Sequence, residues 1–116
     1  MRVDSMGAMQ EIPANVFECP PGRQNHFVEH LRVAALSVGT YAIPAGGVDD
    51  QTPHTEDEVY VVLGGAGTFT GGGRTVPVSA GTTLYVPTGE EHRFHDVTAD
   101  LTILVVFAPP YRGTDS

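Results

Sequence analysis

Apolar and polar positions along this chain alternate in short runs, and no stretch sustains a 3.6-residue period. Short strands divided by Gly- and Pro-containing turns at intervals of about 8–12 residues are the pattern of an all-β sandwich or barrel. "HLRVAALSVGTYAIPAGG" (30–47) reads as a strand carrying Val33, Leu36, Val38, Tyr41 and Ile43, closed by a Pro-Ala-Gly-Gly turn. "EVYVVLGGAGTFTGGG" (58–73) reads as a strand, a Gly-rich bend, a short strand and a hairpin turn. "RTVPVSAGTTLYVPTG" (74–89) gives two short strands split at Ala80-Gly81. "HRFHDVTADLTILVVFAPP" (92–110) gives a short strand, a turn at Ala99-Asp100, and a long last strand stopped by Pro109-Pro110. In "VYVVL" and "LTILVVF" apolar residues occupy both parities, so both strand faces are expected to be covered, by a second layer or by another subunit. Residues 1–25 are weakly patterned and read as a partly mobile start (1–10) followed by an extended surface segment, with residues 26–116 forming the barrel domain.

The 116 residues suffice for one domain with a real core. Fourteen Gly and nine Pro are scattered, as turns require, rather than gathered into a disordered tail. The net charge of −8 argues against nucleic acid or an anionic membrane as partner. With no apolar run near the ~18 residues of a membrane helix, and no basic-then-apolar leader, a cytoplasmic protein is expected. The lone Cys19, in "FECPPG", excludes an intrachain disulfide and reads as a small buried hydrophobe. All six basic residues are Arg, so Schiff-base chemistry on a lysine is excluded.

Candidate chemistry gathers at "PHTEDEVYVVLGG" (53–65) and at His92. Two neutral imidazoles and a carboxylate, His54, His92 and Glu58, suit a first-row divalent ion. Glu58, Tyr60 and Val62 share one strand face, and His92 and Phe94 share another. If both faces point inward, Glu58 is a charge in an apolar barrel, which is costly unless the charge is paired or coordinates a metal. The competing reading makes His54 and His92 surface-loop residues and leaves Glu58 solvated. Glu56 and Asp57 are expected to turn toward water before the strand, and His95, of opposite parity to His92, to face outward. His26 and His30 are assigned no chemistry. Tyr60 either packs in the core or donates a hydrogen bond to metal or substrate. No G-x-S-x-G, lysine-bearing phosphate loop or CxxC is present.

The spacing Gly46-x5-Thr52-x-His54-x3-Glu58-x6-Gly65, then fifteen residues, then Gly81-x5-Pro87-x-Gly89-x2-His92-x3-Asp96, resembles the two motifs of the cupin superfamily, G-x5-H-x-H-x(3,4)-E-x6-G and G-x5-P-x-G-x2-H-x3-N. The resemblance implies a single double-stranded β-helix, a jelly-roll-like barrel, binding one divalent transition metal (Fe, Mn, Ni or Zn) through His54, Glu58 and His92. Thr52 stands where the motif has its first histidine, and Gln51 beside it is expected to supply the fourth ligand. Asp96 stands in place of asparagine. Open metal positions with few other acid–base groups favour a metal-dependent, dioxygenase-like enzyme acting on a small molecule, and the doubly apolar strands support the homodimer common among such domains. A redox-neutral isomerase or lyase, and a non-catalytic ligand-binding or sensor barrel, are the alternatives, because the fold hosts all three.

Overall fold

The computed structural model of the chain describes residues 8–18, 24–49 and 53–112. Its strands are β1 (His26–Arg32), β2 (Ser37–Ile43), β3 (Asp57–Gly71), β4 (Arg74–Ser79), β5 (Thr83–Val86) and β6 (His92–Ala108). All pairings are antiparallel, in the order β1-β2-β6-β3-β4, with β5 also on β3. Two long strands organise the fold. β6 accompanies β3 along its length, while β5 pairs with the first half of β3 and β4 with the second. Each long strand thus serves two sheets that face each other across the core, which is the double-stranded β-helix expected.

The β3–β6 register slips between Val62 and Thr68, where the strands pass from one sheet to the other. Gly65 permits the bend: its φ is 94°, and a Cβ there would run into the Asp100 carbonyl. Along β6, Leu101, Ile103, Val105 and Phe107 are buried and the residues between them are half-buried. The period of two therefore survives under a doubly apolar sequence. Each of these inward side chains contributes about 1.5–3 kcal/mol by burial.

Several boundaries differ from expectation. Residues 30–47 are not one strand: Val33 and Leu36 close a turn between β1 and β2, with the Val33 N–H donating to the Leu36 carbonyl at 3.0 Å. The bends expected at Gly64-Gly65 and Ala99-Asp100 do not end strands, because each long strand keeps its neighbour as it bends. Ala14–Phe17 is a 3₁₀ turn rather than extended chain, started at Pro13, whose carbonyl accepts from the Val16 N–H at 3.1 Å. Cys19 lies outside the described residues. No helix among the described residues is long and apolar enough to cross a membrane.

Candidate metal centre

Residues His54, Glu56, Glu58, Tyr60 and Val62 are buried in alternation, so the inward face of β3 continues into the loop before it. His92 opens β6 in the facing sheet, with Phe94 next on the same inner face. The two sheets thereby bring His54, Glu58 and His92 together, one donor atom of each lying within 4.8 Å of the other two. The His54 Nε2 is 3.2 Å from Glu58 Oε2, and the His92 Nε2 is 3.3 Å from Glu58 Oε1. Their surface-loop alternative is thereby excluded.

Backbone stitches join the two halves. The Gly89 N–H donates to the His54 carbonyl at 2.9 Å, and the Thr88 N–H donates to Asp57 Oδ1 at 2.9 Å. The Gly46 N–H donates to the Val97 carbonyl at 2.8 Å. A buried carboxylate that sequence reasoning did not single out, Asp49, accepts from the Tyr41 hydroxyl at 2.8 Å and from the Phe94 N–H at 2.9 Å. It ties the loop after β2 to the strand carrying His92. An acid within a polar run gives no local sign of such a partner.

The His92 ring is oriented by its own backbone. Its Nδ1 donates to the Glu90 carbonyl at 2.8 Å, so the neutral ring carries its lone pair on Nε2, which lies 2.9 Å from the Tyr60 hydroxyl and 3.3 Å from Glu58 Oε1. Burial pulls the imidazole pKa down, but hydrogen bonding and charge attraction from Glu58, with the Glu90 carbonyl and Asp49, outweigh it and hold the value above that of an ordinary histidine.

Behind His54 stands an aromatic wall. Tyr111 stacks on Phe107 with centroids 4.5 Å apart, and each presents an edge contact to His54 at 5.3 Å. Glu56 corrects the expectation of a solvated turn. It is 2% exposed, and its Oε2 accepts from the Thr55 hydroxyl at 2.8 Å and the Arg112 N–H at 3.2 Å, with Arg112 Nε 3.8 Å away. Its inward parity explains the burial. Asp57 is exposed, as expected. His95 stays off the site, bonded to Thr70 Oγ1 at 2.8 Å and Asp96 Oδ2 at 3.0 Å. His26 and His30 lie in β1, and His30 bonds Thr40 Oγ1 at 2.6 Å.

Glu58 itself tests whether a cation fits. It is 1% exposed, and its two oxygens face the imidazole nitrogens of His54 and His92 at 3.2 and 3.3 Å, with no backbone or hydroxyl donor to either oxygen among the described residues. An ionised carboxylate held this way costs several kcal/mol unless a positive charge compensates it. With two imidazole nitrogens aimed at it, the donor set matches a borderline divalent ion. Gln51 and Thr52 lie outside the described residues.

The cupin domain family model matches residues 39–107, a span that includes all three site residues. The chain belongs to the cupin family. An uncharacterised protein of Streptomyces coelicolor is 46% identical to this cupin over 84 residues, 72% of this chain and 80% of the relative. A solved structure from Thermus thermophilus is similar with a TM-score of 0.75 at 18% identity, covering 88% of this chain and 99% of that one. Another, described as a "predicted oxalate decarboxylase" from Thermotoga maritima, has a TM-score of 0.63 at 24% identity, covering 94% and 99%. At such identities the structural likenesses show the cupin fold alone.

Proposed function

We propose that this cupin is a metal-dependent enzyme of dioxygenase-like type, acting on a small molecule. The observation that carries the reading is the buried Glu58 carboxylate with the imidazoles of His54 and His92 converging on it. His54, Glu58 and His92 would hold the ion, with Gln51 proposed as a further ligand. Two imidazoles and one carboxylate are the facial set used by non-haem iron oxygenases, which leaves positions open for other ligands. Such an ion supplies Lewis acidity and, as iron, a one-electron couple for reaction with dioxygen.

The chain's own residues orient and shield. The Glu90 carbonyl holds the His92 tautomer, Phe107 and Tyr111 exclude water behind His54, and the Tyr60 hydroxyl is a donor beside His92. A cytoplasmic setting is part of the same proposal. Oxygen uptake by the Fe(II)-loaded protein, measured against a panel of small molecules, tests it. Turnover that consumes oxygen and falls to background in Glu58→Gln is the expected result. Turnover undiminished under argon would favour a redox-neutral enzyme, and ligand stabilisation without turnover a binding barrel.

A further inference from the structure

Two cavities flank the site. One, of about 550 Å³, lies at the outer rim among Pro53, Thr70, Gly72, Gly73, Glu91 and Arg93 and reaches the site only at His92. The other, of about 410 Å³, opens between the sheets on the side where β4 and β5 each pair with β3 and not with one another. Apolar side chains, Phe69 and Val76 from one sheet and Leu84 and Val86 from the other, line it together with Thr82, Thr83 and Tyr85. The register places it against the site. Val86 is the cross-strand partner of Glu58, and Gly71 is the partner of His92.

Arg74 lines the same cavity. On β4 it shares parity with Val76 and Val78, which pack in the core, but it stands at the start of the strand and is exposed there. Arg74, Gly71 and His92 form one lateral row across β4, β3 and β6. Gly71 keeps that row bare. A Cβ there would stand 3.1 Å from the Phe69 ring and 3.4 Å from the His92 Cβ. In a chain with fourteen acids and six arginines, Arg74 makes no ion pair or side-chain hydrogen bond among the described residues. Arg74 thus stands exposed at the mouth of a cavity with Glu90 as the one acid among its lining residues, where its guanidinium can meet a negative charge carried by a ligand.

We propose that this cavity binds a small monocarboxylic acid with an aromatic or short aliphatic body. Its carboxylate pairs with the Arg74 guanidinium, for which planar bidentate contact is favoured. Its body lies between Phe69 and Val76 on one side and Leu84 and Val86 on the other, with its far end toward Glu58 and His92. Glu90 on the same rim repels a second negative charge, which selects monoanions over dicarboxylates. The assignment of this acid as substrate rests on the metal-centre reading. The binding itself does not, since every contact named belongs to the chain.

Calorimetric titration of the metal-free and Zn²⁺-loaded protein with benzoate, mandelate and hexanoate, beside mandelamide and succinate, tests the proposal. At least one monocarboxylate is expected to bind about tenfold more tightly than mandelamide or succinate, a difference of about 1.4 kcal/mol. Arg74→Gln should erase the preference for the acid over the amide, Arg74→Lys should keep part of it, and Leu84→Phe should fill the slot and block all ligands. Methyl spectra of the variants check that the fold is kept. Equal binding of acid and amide, indifference to Arg74→Gln, or no saturation by any monocarboxylate would overturn the proposal. Acid binding in a wild-type protein that takes up no metal would overturn the metal-centre reading and leave this one standing.

Discussion

Asp96 has φ 49°, in the left-handed region where Asn and Asp are the side chains best tolerated after glycine. That explains why aspartate can stand where the motif has asparagine: the position is chosen for its backbone. Asp96→Asn should leave stability unchanged, and Asp96→Val should cost about 1–2 kcal/mol. Thermal unfolding would show this as a drop of several degrees, with metal stoichiometry unaltered. His92 supplies a pH signature. Because its folded pKa is raised, its protonation stabilises the metal-free fold below the ordinary value of about 6.5, and that contribution is lost as pH rises through the folded value. A metal needs the same nitrogen unprotonated, so its stabilisation grows as pH rises. Melting curves across the neutral range should therefore diverge with pH between metal-free and Zn²⁺-loaded protein; parallel curves would remove His92 from the ligand set. Gln51→Ala is expected to weaken metal binding and Thr52→Ala to leave it nearly unchanged, with the reverse order assigning the ligand to the hydroxyl. His54, Glu58 and His92 were legible because spacing and strand parity agree on them. Glu56 carried the same parity, yet an acid in a polar run reads as solvated when its partner, Arg112, is 56 residues away.

At the level of elements, the segment after β6 turns back over the site. The Tyr111 N–H donates to Ser37 Oγ at 2.9 Å, and the Arg112 N–H reaches the buried Glu56. This strap presses the Tyr111 ring against His54. Tyr111→Ala is expected to weaken metal affinity about tenfold, or about 1.4 kcal/mol, whereas Tyr111→Phe keeps the ring and should keep the affinity. Val78→Ala, in the core of β4, controls for stability alone: it should lower the melting temperature without moving the metal dissociation constant. If Tyr111→Ala binds metal as wild type does, the strap merely packs. The sequence pattern located β4 and β5 and the stop at Pro109-Pro110, since local turn residues mark them. It divided β3 and β6 too often, because a glycine or an exposed acid within a strand looks like a turn until a neighbouring strand is seen to continue past it.

Across the whole molecule, the outer face of the sheet that holds β2 and β5 carries a row running Val38, Val106, Val59, Tyr85 across β2, β6, β3 and β5. Tyr85 is 64% exposed and the row holds no charge, in a chain of net charge −8. We propose this face as the contact of the expected homodimer, the place where two acidic copies can meet without opposing charges. Sedimentation should show a dimer that Val59→Asp with Tyr85→Ala converts to monomer; a wild type monomeric at all concentrations would contradict it. The central claim, that the fold buries Glu58 to hold a cation, is tested most directly by one comparison. Metal-free wild type and Glu58→Gln, both prepared without a histidine tag, are unfolded thermally while Fe²⁺, Mn²⁺ or Zn²⁺ is titrated in. The wild type should bind one ion per chain and melt at higher temperature with it. Glu58→Gln, which removes the carboxylate that both imidazoles face, should gain no stability from metal. A wild type that none of these ions stabilises, or a Glu58→Gln variant stabilised as much as wild type, would contradict the account.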